Sequence, residues 1–354
     1  MKKNVLISVG LLISLSAFSQ GFFRLDWHDE FDGKELDQKK WSVQLGTGES
    51  EGLTDWGNNE QQYYTNENYV VKDGMLIITA KKEQRGNKLY TSSRLLTRDK
   101  YQTTYGRIEA RIRVNAVEGV WPAFWMMPQE SFYGQWAASG EIDIFEGKGR
   151  LPYQYSGAIH YGGSWPRNTY SGTGELHIPN GGRLDDFHLY AIEWSPDKMS
   201  WYCDDVPLAE VKGWYSENGT TGAPFDRDFY ILLNLAIGGN FDEGRMPPGD
   251  FISAEMRVDY VRVYKWDDYL SEKETVDHNV SVISPEITIS QSEHEIVIHS
   301  PYTIRTASLY TMSGKLTTQT DRTNILNTST LDRGHYILYV QDTNGSNTFK
   351  VVIM

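Results

Sequence analysis

What most constrains this fold is a missing periodicity: no long stretch of the chain repeats its apolar residues at helical spacing. The apolar residues instead come in short runs, such as Met75–Ala80, Arg107–Val114, Met199–Cys203, Phe229–Leu235 and Met256–Tyr264. Gly, Asn, Asp and Pro punctuate the intervals. Runs of this length between turn-forming residues read as strands joined by tight connections. Many such strands without helices predict an all-β, antiparallel sandwich or barrel.

The pattern changes near residue 267. All 11 tryptophans lie between Trp27 and Trp266, and residues 281–354 contain 21 Ser or Thr and no Trp. Asp267–Val280 is polar and charged, as a linker would be. Beyond it, alternation returns in Glu295–Ile298, Ala307–Tyr310, Tyr336–Val340 and Phe349–Met354, with Met312–Lys315 as a turn. This predicts a second, small β-sandwich. At the other end, Met1-Lys2-Lys3 precedes the apolar run Val5–Ala17, which is too short to span a bilayer comfortably. Ala17-Phe18-Ser19 offers a cleavage site. The expected organisation is therefore a signal peptide over 1–19, a main domain over 20–266, a linker over 267–280 and a small domain over 281–354.

Within the main domain, Gly140–Gly147 holds three carboxylates in six residues: Glu141, Asp143 and Glu146. On a strand, Glu141 and Asp143 share a face and Glu146 points to the other. One extra residue at Ile144-Phe145, a β-bulge, returns Glu146 to the face of the first two. Three adjacent acids do not all ionise readily, so one is held protonated. A protonated acid beside an ionised one is the equipment of glycoside hydrolysis: one carboxylate attacks the sugar and one acid protonates the leaving oxygen. Glu-Ile-Asp alone would also suit an edge strand that uses charge against aggregation. The flanking glycines, the preceding tryptophans and the third acid favour chemistry.

Composition narrows the class further. The net charge of -13 argues against nucleic-acid binding, which rests on basic surface. The 11 tryptophans and 22 tyrosines suit sugar faces as well as β cores. Cys203 is the single cysteine, so no intramolecular disulfide and no cysteine-built zinc site can form. It is expected as a buried strand residue.

From Trp27 to Tyr264 the chain resembles a glycoside hydrolase family 16 catalytic domain of the bacterial laminarinase (endo-β-1,3-glucanase) type. The resemblance rests on segments in family order: Trp27–Gly33, Trp56–Thr65, Tyr105–Arg111, Val120–Pro128, the acid motif, Gly157–Gly163, Leu233–Asn240 and Val258–Tyr264. It implies a concanavalin-like β-jelly-roll sandwich with an open cleft. It assigns Glu141 as nucleophile, Glu146 as acid/base and Asp143 as the carboxylate that assists them. The bulged spacing resembles that of laminarinases rather than lichenases or xyloglucan enzymes. Phe145, Gly147-Lys148 and the hairpin Asp204-Asp205 depart from the usual family residues.

The same resemblance implies sugar-binding roles for Asn59, Arg94, Trp121, Trp125, Trp136, His160 and Trp165, with Asn234 and Gln62 as weaker candidates. Core packing, an ordinary loop position or a structural histidine is the alternative at each. It also implies a structural calcium ion held near Glu30, Gly74 and Asp259, and no catalytic cofactor, since two carboxylates suffice for the chemistry. The tail resembles the C-terminal sorting domain of type IX secretion through Leu309–Lys315, Leu331–Tyr336 and Lys350–Val352. A small carbohydrate-binding module is the alternative there, and the absence of Trp speaks against it.

The sequence thus predicts an exported, monomeric, retaining endo-β-1,3-glucanase, secreted or at the cell surface, with no membrane span. Its partners would be a β-glucan substrate and the type IX machinery. One rival is a different β-glycan specificity, for mixed-linkage glucan or an algal galactan. Another is a non-catalytic sugar-binding module on the same sandwich, which retention of all three acids disfavours.

Overall fold

The structure is a computed structural model that describes residues 22–267, 288–292, 294–311, 316–331, 333–343 and 346–353. The expected leader, 1–19, the turn at Met312–Lys315 and all of the expected linker after Asp267 lie outside the described residues. The chain divides into two compact units, Met1–Glu274 and Thr275–Met354.

Among the described residues, the first unit holds two large sheets. The ten-stranded sheet runs in the order Val206–Lys212, Lys198–Cys203, His188–Trp194, Gly106–Val114, Ser253–Asp267, Met75–Lys81, Tyr90–Ser92 and Gln62–Tyr64. Phe22–Asp29 also pairs with Ser253–Asp267, and Tyr69–Lys72 with Met75–Lys81. The eight-stranded sheet runs Asn168–Gly172, Gln154–Gly162, Glu141–Glu146, Val120–Pro128, Phe229–Ile237, Arg94–Leu96 and Ser42–Gln44, with Leu176–His177 on the flank of Gln154–Gly162. Helix is confined to four 3-10 turns of three residues each among the described residues. The arrangement is the β-jelly-roll sandwich expected from the short alternating runs.

One apolar core fills the space between the sheets. Ile108, Ala110 and Ile112 of the first sheet join Phe124, Met126, Ile142, Ile231 and Leu233 of the second. Strand alternation accounts for this layer, since every second side chain of each strand points inward. Trp194, Trp201 and Met199 fill the same layer completely buried, with Cys203 among them, as expected for that thiol. Burial raises the Cys203 thiol's proton affinity, so it is no nucleophile. The Asp204-Asp205 hairpin survives its departure from Asp-Gly, because both residues accept left-handed φ values of 51° and 62°.

The second unit has its own core of Ile296, Ile298, Ala307, Leu309, Leu326, Leu338 and Val340. Among its described residues, three strands form one sheet and four another. Among the described residues of the whole chain, no helix is long and apolar enough to cross a membrane.

Candidate active site

The strand Glu141–Glu146 carries the bulge that the acid spacing requires. Against Val120–Pro128, Asp143 pairs with Trp125 and Phe145 with Phe124, which leaves Ile144 as the extra residue. Against Gln154–Gly162 the register also slips, between Asp143–Ala158 and Glu146–Ser156. Ile144 and Phe145 consequently both enter the core, where Phe145 packs 4.1 Å from Tyr190. Glu141, Asp143 and Glu146 are left on the opposite, outer face.

Two features of the neighbouring strands hold this geometry. Trp201 reaches across the sandwich from the ten-stranded sheet and donates its Nε1–H to the Asp143 carbonyl at 2.9 Å. Gly157 lies opposite the bulge, and a Cβ there would sit 2.1 Å from Trp201 Nε1. Only glycine leaves room for the indole that satisfies the buried carbonyl.

Each glutamate is bound by an indole from the outer face. Trp136 Nε1 donates to Glu141 Oε2 at 2.8 Å, and Trp121 Nε1 donates to Glu146 Oε1 at 3.0 Å. Trp121 is itself stacked on Phe241, 5.0 Å away at 20°. Between the glutamates, Asp143 is only 3% exposed. His160, directly opposite Glu141 on the next strand, brings Nε2 to 3.3 Å from Asp143 Oδ2 and 3.8 Å from Glu141 Oε1.

Burial and shared charge order the protons. Burial first, then the Asp143 charge, raises Glu141 to about 7. Burial and the charges of both Asp143 and Glu141 raise Glu146 well above the usual carboxylate range. Burial opposes protonation of His160, but the close approach of Asp143 and the charges of the glutamates prevail and raise it to about 9. The most proton-retentive carboxyl is thus Glu146, the residue that acid catalysis needs protonated.

The flanks are built differently. On the Glu141 side, Trp136, Trp165 and His160 line up, with Trp136 and Trp165 6.4 Å apart and Trp165 72% exposed. Tyr170, which the sequence reading missed, pairs with His160 in register and stacks on its ring at 5.7 Å. The hairpin register would have placed it there. Across Val120–Pro128, Trp125 donates Nε1–H to Asn234 Oδ1 at 2.7 Å. Asn234 in turn donates to the Tyr64 hydroxyl at 3.2 Å. Tyr64 and Gln62 both donate to buried Glu60. Arg94 is clamped between Trp56 at 4.5 Å and Trp125 at 4.7 Å. Asn59 donates to Asn240 Oδ1 at 2.9 Å, beside the turn that carries Phe241. Lys148, one of the departures, pairs with Glu175 at 3.0 Å and lies 4.9 Å from the Phe241 ring.

The three positions expected near calcium converge elsewhere. Ser253–Asp267 leaves its pairing with Met75–Lys81 at Val258 and takes up Phe22–Asp29 at Val261, so Asp259 falls in the interval. Glu30 follows the end of Phe22–Asp29, and Gly74 precedes Met75. The carboxylates, however, are engaged: Arg262 binds both oxygens of Glu30 at 2.8 and 2.7 Å, and Arg111 binds Asp259 at 2.7 Å. Asp259 Oδ1 and the backbone carbonyls are the donors left to a hard cation there.

Comparison with known proteins bears on the whole first unit. Residues 56–246 match the family model of Glycosyl hydrolases family 16. A glucan endo-1,3-beta-glucosidase A1 of Niallia circulans is 45% identical over 257 residues, covering 68% of this chain and 38% of the relative. A glucan endo-1,3-beta-glucosidase of Cryptopygus antarcticus is 38% identical, covering 72% of this chain and 97% of the relative. The chain therefore spans well under half of the first relative and nearly all of the second. Among solved structures, the laminarinase from Rhodothermus marinus superposes with a TM-score of 0.61 at 37% identity, covering 70% of this chain and 99% of that one.

Proposed function

The chain belongs to glycosyl hydrolase family 16, and from that premise we propose that it is an endo-β-1,3-glucanase that cleaves laminarin-like glucans by double displacement. The observation that carries this reading is the bulge, which sets Glu141 and Glu146 on one face either side of Asp143. The relatives' identity as endo-1,3-beta-glucosidases supports the β-1,3 linkage.

In the proposed reaction, ionised Glu141 attacks the anomeric carbon while Glu146 gives its proton to the leaving oxygen. Glu146, now a carboxylate, then takes a proton from water, which displaces Glu141 and restores the β configuration. Burial and the neighbouring Asp143 raise the proton affinity of Glu146 and so favour its reprotonation after each step. Trp136 and Trp121 fix one oxygen of each glutamate and leave the other for the sugar. Tyr170 and Trp165, both exposed, offer flat faces on which pyranose rings pack. Hydrolysis by this route draws on no metal.

Reducing-sugar release from laminarin, lichenan, agarose, carrageenan and xyloglucan tests the substrate. We expect the highest rate on laminarin, a lower one on mixed-linkage glucan and little on galactans. A preference for a galactan would shift the specificity. Binding without turnover on every glycan would favour a sugar-binding module.

We further propose export by the 1–19 leader and sorting by the tail. A structural calcium ion is proposed on the Asp259 carboxylate and on backbone oxygens at Glu30 and Gly74. Chelation should then lower the melting temperature and leave initial rates unchanged, because a ligand of the native state stabilises it by mass action. Loss of activity in a still-folded, chelated enzyme would contradict the structural role.

A further inference from the structure

The donors of the acid cluster that remain free converge on one point. Glu141 has Oε2 tied to Trp136, which leaves Oε1 facing His160 at 3.8 Å. Asp143 is 3% exposed, and its buried Oδ2 accepts no well-formed hydrogen bond among the described residues. That oxygen lies 3.3 Å from His160 Nε2. One ligand atom from each of Glu141, Asp143 and His160 falls within 4.8 Å of the others. A four-coordinate ion with bonds of about 2.0–2.2 Å spaces its ligands roughly 3.3–3.6 Å apart, and the His160–Asp143 and His160–Glu141 separations of 3.3 and 3.8 Å lie near that spacing.

We propose that Glu141, Asp143 and His160 form an inhibitory site for a borderline divalent cation such as Zn²⁺ or Cu²⁺. One imidazole with two carboxylates selects these ions over Ca²⁺ and Mg²⁺, which prefer oxygen-only sets. The buried Asp143 Oδ2 supplies the anchor: it accepts no well-formed hydrogen bond among the described residues, and its neighbour at 3.3 Å, His160 Nε2, is itself a ligand of the set, so a bound ion would replace that ion pair. A bound ion takes the Glu141 oxygen that would attack the sugar, so metal and substrate exclude each other. Binding itself does not depend on the proposed hydrolysis; only the inhibition does.

A second grouping, His188, Cys203 and Asp204, competes for the assignment. There the His188–Asp204 hydrogen bond of 2.7 Å already satisfies two of the donors.

The test is calorimetric titration of the full chain with Zn²⁺, with Ca²⁺ as control, in wild type, His160→Gln, Asp143→Asn and Cys203→Ser. We expect one Zn²⁺ site per chain that is lost in the first two variants and kept in Cys203→Ser. Retention in both His160→Gln and Asp143→Asn, or loss in Cys203→Ser alone, would overturn the assignment. Wild-type kinetics give a second reading that requires no folded variant. On laminarin, Zn²⁺ should raise KM, leave kcat unchanged and be reversed by chelator. Inhibition that lowers kcat at unchanged KM would place the ion elsewhere. A wild type that binds Zn²⁺ at this cluster but turns over no glycan would support the site and sink the hydrolytic reading alone.

Discussion

In the proposed reaction Glu146 must hold a proton until the leaving oxygen takes it, and its surroundings serve that demand. Its carboxyl is held well above the usual range by burial and by Asp143 and Glu141, and Glu141 is raised to about 7 by burial and Asp143. Both glutamates bind protons more tightly in the folded chain than in the unfolded one. Their contribution to stability is therefore complete below the unfolded value near 4.5 and is lost as pH rises through the folded values. His160, raised to about 9, loses its contribution in the same direction. Glu141→Gln should be more stable than wild type at pH 8, by up to about 3 kcal/mol for a shift of this size, and no more stable at pH 4. Urea unfolding of both proteins at the two pH values checks this. An equal or lower stability of the variant at pH 8 would refute the burial account. The three acids drew notice in the sequence by their spacing together with the flanking glycines and the preceding tryptophans, and the bulge sets them on one face. The indoles that hold them were legible only as nearby aromatics, because a sequence gives proximity along the chain but not which ring nitrogen meets which carboxyl oxygen.

At the scale of the strand, the extra Ile144 turns an ordinary alternation into a face with three acids, and a tryptophan of the opposite sheet braces it. The bond from Trp201 to the Asp143 carbonyl crosses 58 positions of sequence. Gly157 clears its path. Gly157→Ala must displace the indole, and Trp201→Phe removes the donor while keeping most of the packing. Both should lower kcat by about 10- to 100-fold with little change in KM, since a small misplacement of a catalytic group costs that much in rate. Trp201→Phe should also move the alkaline limb of the kcat profile, where Glu146 loses its proton. Steady-state kinetics across pH, with circular dichroism to confirm the fold, gives the comparison. A variant that unfolds partly but keeps kcat per folded molecule would show that the bulge holds itself. The bulge was foreseen because no flat strand brings Glu146 beside Glu141. Its support was not, because strands far apart in sequence meet across a sandwich in ways that alternation leaves open. The short runs did fix the strands themselves: Phe229–Leu235 extends only to Ile237, and Arg107–Val114 begins one residue earlier, at Gly106.

For the whole molecule, tryptophan ends at Trp266, and the chain divides into the units Met1–Glu274 and Thr275–Met354. The second unit owns an apolar core, as a segment that folds by itself requires. If the tail serves sorting, protein recovered from the native culture medium should lack residues 1–19 and the tail from roughly residue 280 onward. Intact-mass measurement decides it, and a secreted species that still ends in Val351-Val352 would mark the tail as a retained module. Sequence patterning reveals such units because each must bury its own apolar face. It does not reveal that Arg262 and Arg111 occupy the carboxylates of Glu30 and Asp259, since ion pairs between strands leave no periodic trace. The central claim joins the fold, the bulge and the two glutamates in one reaction, and proton NMR of laminarin during its first minutes of hydrolysis tests it most directly. The account predicts a mixture of short oligosaccharides whose new reducing ends appear first as the β anomer and only later equilibrate. A first product in the α configuration, or glucose as the sole early product, would contradict it.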